Sequence, residues 1–177
     1  SGLMDENTSS EVLEMQNFQK LEETIQEYLN ENQLSESVTV LEEEAGLLLR
    51  FQDNILFDSG SADLKPESLE IMSYIAQLLN AEDFEDKFIS IEGHTDNVPM
   101  NSTRYPSNWE LSVGRSSNVV RFLVENNNMD PKRISASGYS EYHPVAPNDN
   151  AENRAKNRRV DILILKTIHY KDSSKNQ

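Results

Sequence analysis

The chain predicts an α+β protein, a two-layer sandwich with helices on one face of a small mixed sheet and an extra N-terminal helix. Strand-sized apolar runs alternate with stretches whose apolar residues recur every three or four positions, the order expected when helices cover one side of a sheet. Hydrophobic residues make up 36% of the 177, enough for a normal core in one domain with some additional chain. The longest apolar clusters, 46–49 and 162–165, are short. None approaches the roughly 20 residues that cross a bilayer, and no basic stretch leads into an apolar one as a signal peptide would.

Residues 1–10 are small and polar and read as a disordered lead-in. From Glu11 to Asn30, Met15, Phe18, Leu21, Ile25 and Tyr28 mark one helix face, with glutamates on the others. Val38–Glu44 and Leu47–Gln52 read as two strands, with Gly46 serving the turn between them through a positive φ. Ile55-Leu56-Phe57 leads into the turn-rich Asp58-Ser59-Gly60-Ser61. Pro66 suits the first position of a helix carrying the stripe Leu69, Met72, Ile75, Ala76 and Leu79. Phe88–Ile91 is a strand running into Glu92-Gly93-His94-Thr95-Asp96, and a loop with Pro99 and Pro106 follows.

Ser107 and Glu110 have the spacing of a capping box, each side chain meeting a free amide at a helix start. That helix continues through Leu111, Val119, Phe122 and Leu123 and stops at Asn126-Asn127-Asn128. Ile134–Gly138 is a core strand, Ala151–Asn157 a short helical turn and Arg159–Leu165 a final strand. The tail from Thr167 is polar and expected to fray. The chain divides into a lead-in (1–10), a helix with the first strand (11–45), the main domain (46–166) and a polar tail (167–177).

The net charge of −15 is unevenly spread, with 4 basic and 21 acidic side chains in residues 1–90 against 12 and 10 in the remainder. So acidic a front half would repel phosphates, which argues against nucleic acid. Cysteine is absent, which removes disulfides and thiolate chemistry. The three histidines, His94, His143 and His169, accompany no nucleophile motif, and no phosphate-cradling glycine loop occurs. An enzyme is therefore not expected, nor a cofactor. His94 and Asp96 have the spacing to begin a metal site, but no further cluster has ligand spacing. His94 reads instead as a hydrogen-bonded structural residue, and no metal is expected.

Asp96 falls where a strand gives way to a loop, a common position for a binding site. Arg115 lies one to two turns into the helix that Ser107 caps. Held apart on two rigid elements, they would form a socket for a zwitterion. The carboxylate would accept from an ammonium, and the guanidinium would hold a carboxylate through two parallel hydrogen bonds, which a lysine could not do. The spacing equally allows Asp96 and Arg115 to pair with each other or with surface partners.

From about Ile55 to Leu165 the chain resembles the OmpA-like peptidoglycan-binding family. The resemblance rests on five segments in order: 56–64 (LFDSGSADL), 91–96 (IEGHTD), Asn108-x-x-Leu111-Ser112-x-x-Arg115, Gly138-Tyr139 and Asn157-Arg158-Arg159-Val160. It implies an OmpA-C-like sandwich in which Asp96 and Arg115 bind the free zwitterionic end of diaminopimelate in the peptidoglycan stem peptide. Thr95, Asn108 and Leu111 match positions lining the same pocket. Of Arg158 and Arg159, one, taken as Arg158, helps to orient the site, and the other is a surface residue. Gly93 matches a structural position.

The long interval from Asp96 to Arg115, with its additional loop and Ser107-Asn108-Trp109-Glu110-Leu111-Ser112, is similar to the MotB type of flagellar stator subunit. That branch implies an extracytoplasmic, homodimeric anchor. A single upstream transmembrane helix, not in this sequence, would join a MotA-like membrane subunit. A wall anchor from a non-flagellar lipoprotein or membrane protein is the alternative. Ser116 departs from the alanine usual after the arginine.

Overall fold

The computed structural model describes residues 6–169. In chain order the main elements are α1 (Glu6–Glu31), β1 (Val38–Glu42), β2 (Gly46–Gln52), α2 (Asp53–Leu56), α3 (Ser68–Leu79), β3 (Ile89–His94), α4 (Asn108–Asn127), β4 (Ile134–Gly138), α5 (Ala151–Asn157) and β5 (Arg159–Leu165). The strands make one mixed sheet in the order β1-β2-β5-β3-β4, antiparallel except where β4 joins β3 in parallel after the α4 crossover.

The period of two in the strands separates the faces of the sheet. Leu49, Ile162 and Ile91 are cross-strand neighbours and fully buried. With Val38, Val40, Leu47, Phe51, Ile89, Val160 and Ile164 they belong to a core shared with apolar side chains of α1, α3 and α4. The opposite face carries Arg50, Asp161 and Glu92 in the next row of the register. α4 crosses β3 and β4 and also packs on α3.

α1 begins at Glu6, so the lead-in expected over 1–10 is helical from its sixth residue; residues 1–5 lie outside the described part. Once a helix is nucleated and packed, each additional turn costs little even with small polar residues. Its buried stripe is Phe18, Leu21, Ile25 and Leu29, in steps of three and four. Met15, expected on that face, is 61% exposed. The inward position one turn before Phe18 belongs to Glu14, whose carboxylate takes the Lys87 ammonium at 2.6 Å and the Thr167 amide at 3.1 Å. Tyr28 lies half-buried, stacked on Tyr74 of α3 with ring centroids 3.9 Å apart. Thr167 is thus held in place where a frayed tail was expected to begin, and residues 170–177 lie outside the described part.

The turn argument expected a positive φ at Gly46, which does not take one; among the described residues Gly60 is the glycine that does. A Cβ on Gly46 would lie 1.9 Å from the Ile164 carbonyl oxygen, so the position is glycine because β5 runs against it. α4 ends as its asparagines predict, on Asn128 in the left-handed region with φ 56. The Met129 amide closes this end on the Leu123 carbonyl at 3.1 Å. Arg133, which drew no attention in the sequence, is buried and donates to the carbonyls of Leu79, Phe84 and Lys87. It closes the α3–β3 connection. In α3, Ile71 is buried where Leu69 was expected, and Pro66 precedes the helix.

Replacing Gly46 by alanine should cost about 3 kcal/mol in urea denaturation, since only backbone movement can relieve the contact. Burial raises the pKa of Glu14, but the hydrogen bonds from Lys87 and Thr167 outweigh it and hold the carboxyl below its ordinary value. The stabilisation is full above the titration range of an unfolded glutamate and is lost as pH falls through the lower folded value. Glu14→Gln should accordingly be less stable than wild type at neutral pH. The gap between their denaturation midpoints should close in acid.

Candidate functional site

The site forms where β2 and β3 end and β5 begins, beneath the first turns of α4. Three sequence features put it there. Ser107 accepts from the Trp109 amide at 3.1 Å and starts α4 as the capping pair predicts, while the Glu110 carboxylate meets the Ser107 hydroxyl. Two glycines then bring the helix down on the sheet. A Cβ on Gly93 would lie 2.1 Å from the Ser112 carbonyl oxygen, and one on Gly138 2.5 Å from the Val113 nitrogen. Finally, Asn150 caps α5 through the Asn153 amide at 2.8 Å, and α5 ends at Arg158, directly before β5.

Asp96 is 6% exposed. One carboxylate oxygen accepts from the Val98 amide at 2.9 Å and the other from Arg158 Nη1 at 2.7 Å. Arg115 does not reach Asp96. Its guanidinium is 3% exposed and lies 4.8 Å from the Phe57 ring centre. It donates to Asp53 at 3.1 Å, to the Ser61 carbonyl at 2.8 Å and to the Asp58 carbonyl at 3.3 Å. Asp53 also lies 3.6 Å from Arg158 Nε. The charges therefore alternate in a row: Asp96, Arg158, Asp53, Arg115. Burial pushes the Arg115 guanidinium below its ordinary value and Asp53 pulls it back; at neutral pH it stays charged.

The remaining predicted residues brace the loop and the helix start beside Asp96. Thr95 receives no ligand-facing role from its bonds: its amide donates to the Ser140 carbonyl at 2.9 Å and its hydroxyl to the Asp96 carbonyl at 2.8 Å. Asn108 donates to the Val98 carbonyl at 3.0 Å and more weakly to that of Asp96 at 3.5 Å, bracing the loop. Leu111 packs with Ala62 and Tyr105. Ser116 is fully buried and returns its hydroxyl to the Val113 carbonyl at 3.1 Å, so it fits without an orphaned polar atom.

Two expectations change, and one further residue joins the site. Arg159 is not a surface residue: it is 4% exposed and donates to Asp161 at 3.2 Å and to the His143 carbonyl at 3.0 Å. Asp53, which stands beside both arginines, has for its only sequence signal a lone acid directly after an apolar strand. His94 is buried and stacked on Tyr139, but both ring nitrogens lack a hydrogen-bond partner among the described residues. Its Nε2 stands 3.5 Å from Glu92 and 3.9 Å from Asp161, a grouping with the spacing of a metal site. Arg50 and Arg159 already occupy the Asp161 carboxylate, so a cation there would have to displace guanidinium groups.

Residues 56–158 match the model of the OmpA family, and these include Asp96, Arg115 and Arg158. The chain belongs to the OmpA family. Within it, the chain is 38% identical over 152 residues to motility protein B of Bacillus subtilis (strain 168), covering 86% of this chain and 58% of that protein. The chain thus spans under two thirds of that relative's length. Among solved structures it is similar to a putative MotB-like protein from Desulfovibrio vulgaris, with a TM-score of 0.78 at 28% identity over 88% of this chain and 94% of the other. It is also similar to the cell wall anchor of the T6SS from Pseudomonas aeruginosa, with a TM-score of 0.70 at 33% identity over 79% and 96%. The OmpA-C-like sandwich with a preceding helix is therefore the fold.

Arg115→Ala should lower stability by about 3 kcal/mol, because the buried Asp53 carboxylate loses its hydrogen-bonded partner and keeps only Arg158 at 3.6 Å. Asp96→Asn retains an acceptor for the Val98 amide and should cost less than half as much. Chemical denaturation of the two variants separates these values.

Proposed function

We propose that this chain is the peptidoglycan anchor of a MotB-like stator subunit and binds the zwitterionic end of diaminopimelate in the stem peptide. The observation that carries the proposal is the Asp96–Arg158 ion pair at the edge of the alternating row, with the Arg158 side chain 38% exposed. A free zwitterion can exchange partners with it. The ligand ammonium takes the place of Arg158 on Asp96, and the ligand carboxylate takes the place of Asp96 on the Arg158 guanidinium.

No charge is left unpaired by the exchange, which avoids the large cost of an isolated buried ion. Arg115 spends three hydrogen bonds on the protein, leaving two of the five N–H donors of an arginine for a ligand oxygen. Thr95 and Asn108 hold the loop that presents Asp96. Leu111 supports the loop from beneath.

The function is mechanical and not enzymatic: the domain holds a static polymer so that an ion-driven membrane part can push a rotor. The longer protein would carry one transmembrane helix upstream, join a MotA-like subunit and place this domain, as a homodimer, outside the cytoplasmic membrane. Modest affinity per site suffices, since two linked domains on one polymer gain from effective concentration. The similarity to the T6SS cell wall anchor supports a second reading, a non-flagellar wall anchor using the same site.

Sedimentation with purified cell walls tests the shared claim. Asp96→Asn and Arg115→Lys should each reduce the bound fraction about tenfold, the loss of one charge-assisted contact. Both variants binding walls as wild type does would sink the assignment, provided that circular dichroism shows them folded.

A further inference from the structure

The rim of the Asp96 site carries apolar surface that the zwitterion socket does not use. Apart from Ile168, the exposed large apolar side chains among the described residues gather in two places. One is the first half of α1, with Val12, Leu13 and Met15. The other comprises Val98, Trp109, Val113, Tyr142 and Val145, on the two loops and the helix start that enclose Asp96. In this second group Trp109 is 49% and Tyr142 63% exposed, and their rings stack with centroids 5.5 Å apart at 28°. Two large rings turned outward at a site rim need a reason, because water penalises such exposure.

We propose that Trp109 and Tyr142 form a saccharide platform beside the Asp96 socket, taking the pyranose faces of the glycan strand to which the stem peptide is attached. This rests on the wall-binding reading above and extends it from the peptide to the sugar. A pyranose ring offers C–H groups on its faces and hydroxyls at its edge. An exposed indole or phenol ring complements the first with its electron-rich face, and Glu110 and Glu141, next to the two rings in the chain, carry carboxylates that can accept from the second.

The platform is rigidly tied to the socket. The Ser112 hydroxyl donates to the Trp109 carbonyl at 3.0 Å and accepts from the Ser140 amide at 3.1 Å. The Ser140 carbonyl in turn accepts from the Thr95 amide, one residue before Asp96. Ser140 itself is held at a φ of 55, which turns the loop so that Tyr142 meets Trp109. A hydrogen-bonded chain thus runs from ring to socket, and a polymer held at one is presented to the other. A second copy of this chain suits the patch less well, because a two-fold contact would bring the Glu110 and Glu141 carboxylates of both copies into one interface.

Trp109 is the only tryptophan in the chain, so its fluorescence reports on the platform directly. Two probes are titrated: peptide-free glycan, prepared by stripping stem peptides from purified wall with an amidase, and the free stem peptide. The glycan should shift the Trp109 emission of wild type, and the shift should weaken in Tyr142→Ala. By calorimetry, Trp109→Ala and Tyr142→Ala should bind the glycan about tenfold more weakly, with Trp109→Phe close to wild type. All three should bind the free stem peptide as wild type does.

Absence of glycan binding by wild type, or unchanged glycan binding by both alanine variants, overturns the platform. So does a Trp109→Ala variant that changes self-association in sedimentation equilibrium and leaves glycan binding alone. If wild type binds the glycan but not the stem peptide, the socket reading fails and the platform stands. The reverse result leaves the socket and removes the platform.

Discussion

Helix α4 lies with its backbone directly against the backbones of β3 and β4, and the rest of the site depends on that contact. Gly93 and Gly138 provide the space; a Cβ at either would collide with the helix near Ser112. Ser112 itself is fully buried and ties the helix start to the loop after β4. Main-chain contact of this kind leaves no long side chain between the elements to change rotamer, so relative position is set to a fraction of an ångström. Arg115, one turn further along, is thereby delivered to Asp53, and Asn108 to the loop that carries Asp96. Bulk at either glycine would act on the site from behind.

The buried charges depend on this placement. Four ionic groups of alternating sign lie in one row, and each inner member has a neighbour on both sides. Burial makes an isolated charge costly, but a complete row compensates itself, and its strength lies in geometry more than in net stability. A second cluster on the open face of the sheet follows the same rule, with Asp161 held between Arg50 and Arg159. His94 stands beside it without a hydrogen bond. Of the first row, Arg158 is the member that solvent reaches.

Periodicity made the fold legible. β4, α5 and β5 have the bounds read from the sequence because turn residues and caps flank each of them. The reading failed where tertiary contact outranked local pattern. Met15 has the right spacing for the core face of α1, but Glu14 holds the inward place through Lys87 and Thr167, partners distant in sequence. Gly46 looked like a turn glycine, and the approach of β5 is what requires it. In the site, Asp96 and Arg158 meet, and Arg115 lies close behind them. Asp53, which links the two arginines, carried only the signal of a lone acid after β2. Asp161 was more legible in principle, being a single charge inside a run that is otherwise apolar, the pattern of a buried ion pair.

The clasp of Glu14 with Lys87 and Thr167 sits at the far end of the sheet from Asp96, next to the start of β3 and the end of β5. A pull between α1 and whatever the Asp96 end grips therefore runs lengthwise along two antiparallel neighbours joined by their ladder. The ladder is then loaded in shear. Its hydrogen bonds lie across the line of force and must fail together, where peeling would open them singly. Tension entering through α1 reaches the central strands at the clasp, before it can draw on β1 or β4 at the edges.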